Sequence, residues 1–449
     1  MGNMLPTLQI EHYRAAIDDY LSTTFALTES EVSGELSKFL NDPHTGMFRG
    51  PYLRIRMPFA AAQRPVTEVL EWYGAPYPPH GHQLAAFERL TSSRSGIGGG
   101  RPLPTLVTTG TGSGKTEAFL FPILDHVRRA RAAGIRGTKA LLLYPMNALA
   151  NDQARRLAKL ISNDPELAGI RAAIYVGEQG QKQSKVSGTA LINDREAIRA
   201  EAPDILLTNY KMLDQLLLRP YDQGIWQQSA TSLRYLVLDE FHTYDGAQGT
   251  DVAMLLRRLG FALKRNWPTE PDARAAAGID EHAETHPLGL ITPVATSATL
   301  GGEDHSNMVS FANTVFGGGF DSNCLVGETR LTVTEWTAGG EAPAAAGAPL
   351  RLSGELVGAI NIDTLIALAT REQPGDGLEL ARSVIAAAYE HGEVFRNADA
   401  ATLHDALRAH PDIATLVTAT TKPVLIDELA DRLIAVSYTH LTLPTIYSV

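Results

Sequence analysis

The chain has 449 residues, with 39 Lys and Arg against 50 Asp and Glu and a formal net charge of −11. At roughly 100–200 residues per domain this predicts two to four domains, and 44% hydrophobic with 20% charged residues excludes wholesale disorder. No apolar run reaches the roughly 18 residues of a membrane span. Met1 to Ile10 lacks the basic and apolar segments of a secretory signal, and Pro6 stands where myristoylation needs Ser or Thr. Cys324 is the only cysteine, which excludes internal disulfides, cysteine-based zinc sites and four-Cys iron–sulfur clusters. These features predict a soluble cytoplasmic protein. The acidic average opposes coating of nucleic acid by bulk charge but leaves room for a local basic groove.

In chain order, residues 1–95 read as a mainly helical region. Tyr13, Ile17, Tyr20 and Leu21 have helical spacing within Glu11–Leu21. Phe48 to Phe59, bracketed by Pro51 and Pro58, reads as a short strand or extended arm. Its Arg49, Arg54 and Arg56 could touch phosphates, although an edge packed on the next domain is the stronger expectation. After Pro76, Pro78 and Pro79 a helix is predicted over His82–Leu90.

Residues 96–330 alternate short apolar runs with helical patterns. Strands are predicted at Leu103–Thr109, Ala140–Tyr144, Ala172–Val176, Asp204–Thr208, Leu233–Leu238 and Ile291–Thr296. Helices are predicted at Lys115–Ala130, Leu149–Ile161, Met212–Leu218 and Thr250–Leu263. Near-continuous apolar strands between helices specify a parallel sheet covered on both faces, whose strand tips bind ligands along one edge. Residues 331–349 read as a linker because of the run AGGEAPAAAGAP. Helices are expected at Ile360–Ala369, Leu378–His391, Ala401–Ala409 and Val424–Ile434, forming either an insertion or the start of another domain. Residues 436–449 lose all periodicity, and VSYTHLTLPT resembles a translated sequencing adapter. The native chain is therefore expected to continue beyond residue 435, with 436–449 excluded from the fold.

Two motifs carry chemistry. Gly110-Thr111-Gly112-Ser113-Gly114-Lys115-Thr116 follows a strand and opens a helix. Glycines allow the backbone to wrap a phosphate, while helix N-terminal N–H groups and the dipole attract it. Lys115 would reach the β- and γ-phosphate oxygens of a nucleotide, and the Thr116 hydroxyl would hold Mg²⁺. Leu236-Val237-Leu238-Asp239-Glu240-Phe241-His242 is an apolar strand ending in two carboxylates. Nucleotide hydrolysis needs one acid to position Mg²⁺ and a second group to orient or deprotonate water, roles that suit Asp239 and Glu240. A turn at the strand end could aim both at the nucleotide. His242 is expected to hydrogen-bond the next motif, with a partly buried structural histidine as the alternative.

Together these residues resemble the motor core of superfamily 2 DExH-box (DEAD/DEAH-like) helicases. Gln83 resembles the adenine-reading glutamine. Tyr144-Pro145-Met146-Asn147-Ala148-Leu149 resembles motif Ia, and Thr208-Asn209-Tyr210 resembles motif Ib. Asp239 to His242 resembles motif II, and Ser297-Ala298-Thr299 resembles motif III. The continuation through Gly246, Gly249 and Leu255-Leu256-Arg257-Arg258-Leu259 resembles the Lhr-like branch, which includes DNA-repair and phage-defence helicases.

The resemblance implies a RecA-like P-loop domain with ATP and Mg²⁺ as cofactors and a nucleic-acid partner, DNA ahead of RNA. It implies strand contacts at Pro145, Asn147, Ala148, Thr208 and Asn209, and coupling of hydrolysis to movement through Ser297, Ala298 and Thr299. An arginine finger supplies roughly 10³–10⁵ in rate in related systems. The family places it in a second motor domain, and residues 318–449 contain no Gln-x-x-Gly-Arg-x-x-Arg-like motif. The chain alone is therefore expected to bind ATP weakly, hydrolyse it poorly and unwind nothing. The alternative functions are a nucleic-acid-binding ATP switch without unwinding activity and a non-catalytic scaffold. His282 and His286 have the i, i+4 spacing of metal ligands, yet Ala283 replaces the glutamate a zincin requires, so a solvated loop is expected. Arg257 and Arg258 read as surface salt-bridge formers.

Overall fold

The computed structural model describes residues 6–25, 30–42, 45–48, 50–110, 112–177, 181–298, 305–351, 376–426 and 428–429. Its strands are β1 Tyr52–Leu53, β2 Thr105–Thr108, β3 Ala140–Tyr144, β4 Ala172–Tyr175, β5 Ile205–Asn209, β6 Tyr235–Leu238, β7 Thr292–Ser297, β8 Leu325–Gly327 and β9 Val424–Leu425. The chain divides into two compact units, residues 59–329 and the pair of segments 1–58 and 330–449.

The unit 59–329 is built on one parallel sheet of order β4-β5-β3-β6-β7-β2-β8. Strand residues alternate between two cores because successive side chains point to opposite faces. Leu141, Leu143, Leu206, Leu236 and Leu238 enter one core, with helices Tyr210–Leu218, Gln223–Ser229 and Gly246–Lys264. Leu142, Tyr144, Leu207, Tyr235 and Val237 enter the other, against helices Gly81–Leu90, Lys115–Ala132 and Asn147–Asn163. Burial on both faces explains why these strands are nearly all apolar. The predicted α/β class and RecA-like sheet are present.

In sheet order β6, β7 and β2 are neighbours, so their C-terminal tips meet although they are distant in sequence. The register pairs Leu238 with Ala295 and Ser297 with Thr108, which sets the heights of those tips.

Several expectations are corrected. The helix Gly81–Leu90 packs into the sheet unit through Leu84, Phe87 and Leu90, so the division falls after residue 58 rather than after 95. β8 was not expected, because three residues give no readable period. His282 lies in a short helix, Glu281–Thr285, instead of a loop; Asp280 caps it by accepting from Ala283 N–H at 2.7 Å.

In the other unit, residues 331–349 are not a plain linker. Helix Val333–Ala338 begins with a reciprocal capping pair, Thr332 and Glu335, and Trp336 is buried with Met57 and Val417. Val424 and Leu425 do not begin a helix. They pair antiparallel with Leu53 and Tyr52. The Phe48–Phe59 arm thus takes its ladder partner from β9, inside its own unit. Helices Pro6–Thr24 and Ser30–Asn41, the first spanning the predicted Glu11–Leu21, and helices Asp376–Ala387, Ala400–Ala409 and Pro411–Ala419 also belong to this unit. Ile360–Ala369 and residues 436–449 lie outside the described residues.

A buried ion cluster secures the N-terminal ends of the strands. Asp204 accepts from Lys139 Nζ at 2.8 Å, Arg131 Nη1 at 2.7 Å and Arg171 N–H at 2.8 Å. Removing one partner of a buried pair strands the other. Asp204→Ala should therefore cost about 3–5 kcal/mol. Asp214→Ala, which breaks the exposed Arg258 pair, should cost less than about 1 kcal/mol. Urea unfolding of both variants checks the contrast.

Candidate functional site

The turn from β2 into helix Lys115–Ala132 is shaped by its glycines. Gly112 and Gly114 both have φ +79°, a left-handed conformation that L side chains rarely adopt. A Cβ on Gly114 would lie 2.2 Å from Gln83 Nε2, so the position also excludes side chains sterically. Ser113 Oγ donates to Thr109 Oγ1 at 2.6 Å beneath the loop, and both residues are buried. Thr111 lies outside the described residues.

The helix Gly81–Leu90 turns successive loop carbonyls outward. His82, wholly buried, donates through Nε2 to Ser113 O at 2.8 Å. A carbonyl only accepts, which assigns the proton to Nε2. Gln83 Nε2 donates to Gly114 O at 3.2 Å, while its Oε1 accepts from His80 N–H at 2.9 Å. On the opposite flank Gly110 N–H donates to the Glu328 carboxylate at the end of β8. The first-turn N–H groups at Lys115 and Thr116 are those a helix start leaves without intrahelical partners. A cleft of about 480 Å³ lies in front of them, lined by Gly112, Ser113, Gly114, Lys115, Thr116 and Glu240, with Gln83, Tyr77 and Arg156 at its side.

Beyond β6 the chain bends at Glu240, whose φ of 49° and ψ of 50° make it the only non-glycine residue with positive φ among the described residues. Such a conformation costs on the order of 1–3 kcal/mol and is commonly retained at functional sites. It lets both carboxylates leave the strand toward one region. Glu240 Oε1 lies 3.7 Å from Lys115 Nζ. Asp239 is buried; Thr296 Oγ1 donates to its Oδ1 and accepts Glu240 N–H at 3.3 Å. Burial, reinforced by the charge of Glu240, raises the Asp239 pKa above the ordinary carboxylate value. The Thr296 hydrogen bond and the Lys115 charge pull it back.

His242 Nδ1 is 3.2 Å from Ser297 Oγ and 3.5 Å from Glu240 Oε2. Because Ser297 Oγ itself donates to Ala298 O at 3.1 Å, the imidazole is the donor to the serine. Ser297 is buried and Ala298 half-buried, whereas Thr299 lies outside the described residues.

The residues expected at the strand face divide. Asn209 Nδ2 donates to Asn147 Oδ1 at 2.6 Å across the adjacent tips of β5 and β3, and Asn209 Oδ1 caps Met212 N–H at 2.7 Å. Pro145 is half-buried and Ala148 exposed beside them. Thr208 is corrected: it is fully buried, its hydroxyl donates to Tyr175 O, and it offers no surface to a strand. His286 is engaged structurally, its Nδ1 accepting Leu288 N–H at 3.2 Å and its Nε2 3.3 Å from Gly318 O. Among the described residues no group of three or more His, Cys, Asp or Glu is placed to hold a metal. His82, Thr296 and Glu328 were not read from sequence. The first two directly precede recognised motif residues, and Glu328 follows the unread strand β8.

The DEAD/DEAH box helicase family matches residues 81–305, half of the chain. The chain belongs to the DEAD/DEAH box helicases. The match takes in the phosphate loop, the Asp239–His242 turn and Ser297. Druantia protein DruE of Escherichia coli is 28% identical over 306 residues, covering 46% of this chain. The ATP-dependent helicase YprA of Bacillus subtilis, itself uncharacterised, is 30% identical over 178 residues, 40% of this chain. The ATP-dependent helicase hrq1 of Schizosaccharomyces pombe is 31% identical over 154 residues, 34% of this chain. The chain spans only 16%, 20% and 13% of these proteins respectively. Among the described residues no helix is long and apolar enough to cross a membrane.

In this DEAD/DEAH box chain the His82 clamp makes a separate contribution. His82→Leu removes the donor to Ser113 O and should weaken binding of a fluorescent ATP analogue by roughly 0.5–1.5 kcal/mol, a few-fold to tenfold. His82→Gln, which keeps an N–H at similar reach, should restore it; equal loss in both variants would mean that His82 only fills space.

Proposed function

We propose that this chain is the nucleotide-binding motor of an ATP-driven nucleic-acid helicase or translocase, and that it acts with a second motor domain. The observation that carries the reading is the meeting of Lys115 with Glu240, beside Asp239, at the tips of β2 and β6 on either side of β7. The residues present fit a magnesium–nucleotide group. A left-handed glycine cradle, helix-start N–H groups and a lysine suit polyphosphate, and hard oxygen donors at Thr116 and Asp239 suit Mg²⁺. The metal would neutralise charge on the transferring phosphoryl group.

Lys115 would hold the β- and γ-phosphate oxygens, while Asp239 and Thr116 would hold the metal. Glu240 orients and deprotonates the attacking water, and Lys115 exchanges its carboxylate neighbour for phosphate when nucleotide enters. Gln83 reads adenine while supporting the loop. His242 ties Glu240 to Ser297, so a shift at the hydrolytic carboxylate reaches β7 and the segment of Ala298 and Thr299. The nucleic acid lies across Pro145, Asn147, Ala148 and Asn209, with DNA preferred to RNA.

Three substitutions test these roles. Lys115→Ala should lower affinity for an ATP analogue roughly ten- to a hundredfold, as expected when a charge-assisted contact is lost. Glu240→Gln should bind nucleotide normally while abolishing DNA-stimulated turnover in the assembled two-domain motor; lost binding would make Glu240 structural. The third uses pH. The Thr296 hydroxyl favours the charged form of Asp239, so Thr296→Val should raise the Asp239 pKa further. Metal binding requires the carboxylate, and the acid limb of the turnover–pH profile should therefore move to higher pH. An unmoved limb would separate Asp239 from metal binding.

A further inference from the structure

The opposite edge of the same sheet, where β6 and β7 begin, carries a second cavity of about 560 Å³. Three guanidinium groups line it, from Arg101, Arg129 and Arg234, while Ile135 and Leu290 supply an apolar wall. The three cations are not equally compensated. Arg129 pairs with the buried Asp125 at 3.1 Å and with Glu71 at 3.8 Å. Arg101 pairs with Asp280 at 3.1 Å, where both side chains are about half exposed and the attraction is weakened by solvent. Arg234 donates to Ala277 O at 2.7 Å and has no carboxylate partner among the described residues.

Burial and the like charge of Arg101 make the guanidinium of Arg234 less basic than an ordinary arginine. The positive field reaches the cavity floor. Burial, with the charges of Arg129, Arg234 and Lys139, pushes His126 down to about 3, so it stays neutral, within 2.7 Å of the Ser92 hydroxyl. Arg234 is half-buried and has no acid beside it, while Asp280, itself on the cavity lining, pairs with Arg101; the uncompensated charge of Arg234 therefore attracts an anion into the cavity. The volume is in the range of small-molecule pockets, roughly 300–1,000 Å³.

We propose that this cavity binds a small phosphate-bearing molecule, its phosphoryl group between Arg234 and Arg101 and its less polar body against Ile135 and Leu290. Planar guanidinium forks match phosphoryl oxygens in pairs, which favours phosphate over a spherical anion. The site stands at the start of β6, the strand whose other end carries Asp239 and Glu240.

Equilibrium dialysis of labelled inorganic pyrophosphate against the 449-residue chain tests this, with the phosphate loop kept saturated by ADP and Mg²⁺. The expected result is about one pyrophosphate per chain beyond the ADP, with at least tenfold weaker uptake in Arg234→Gln and several-fold weaker uptake in Arg101→Gln. Retained ADP binding shows that each variant is folded. No uptake, or unchanged uptake in a folded Arg234→Gln, overturns the proposal; should that variant not fold, unchanged uptake in Arg101→Gln does so. Stoichiometric displacement of pyrophosphate by single-stranded DNA would also overturn it, by assigning the arginines to a nucleic-acid backbone.

Discussion

The site depends on the parallel register that sets β6, β7 and β2 side by side. A lysine on one loop and two carboxylates on another have no local reason to meet. They meet because each follows a strand, and the parallel strands β6, β7 and β2 all end on the same edge. The two cores, one on each face, fix that register. A slip of one residue in β6 would move Leu236 and Leu238 into the core that now receives Tyr235 and Val237. Packing of the sheet thereby determines the distance between Lys115 and Glu240, and the polar residues at the tips inherit their geometry from apolar ones below.

On this frame the phosphate loop is held from outside. Its N–H groups can converge on an anion only if its carbonyls point away, and carbonyls turned toward a protein surface need donors there. His82 and Gln83 supply them from adjacent positions of one helix, and Glu328 takes the Gly110 N–H on the opposite flank. This accounts for the side chain of Gln83, which also caps its own helix through His80 N–H. A residue with these two structural contacts ties the start of its own helix to the shape of the glycine loop.

The sequence revealed the parts with a strong period or a dense motif. Runs such as Ala-Leu-Leu-Leu-Tyr at 140–144 can be stable only when buried on both sides, so the sheet and its class were legible from residue type. The glycine turn and the Asp-Glu pair were legible because phosphate and metal chemistry demand those side chains. Less of the supporting set was visible. Thr296 reads as one more β-branched strand residue until Asp239 is beside it, and Thr208 looks like a polar strand tip until Tyr175 O covers it. Val333–Ala338 lay within a region dominated by its Ala/Gly/Pro run, although Thr332 and Glu335 have the spacing of a capping box. Val424 and Leu425 show the remaining gap: two apolar residues fit a helix or a strand equally well, and only the distant partner Tyr52–Leu53 decides.

Net charge was the least informative number for function, and the buried carboxylates explain why. Asp125, Asp204 and Asp222 count fully toward the total of −11, yet each is engaged below the surface by Arg129, by Lys139 and Arg131, or by Arg199. Cations whose neighbours are not acids then dominate locally, as Arg234 does at the strand starts. Lys115 differs in kind. Its carboxylate neighbour, Glu240, is held in a left-handed turn and sits on a surface that a phosphate would share. An anion entering the cleft therefore competes with Glu240 for the lysine. Displaced from Lys115, Glu240 keeps His242 as its neighbour, and through His242 its position is linked to Ser297. Sheet packing sets the 3.7 Å separation of Lys115 and Glu240, and the contacts from Glu240 to His242 and from His242 to Ser297 continue from that pair to the end of β7.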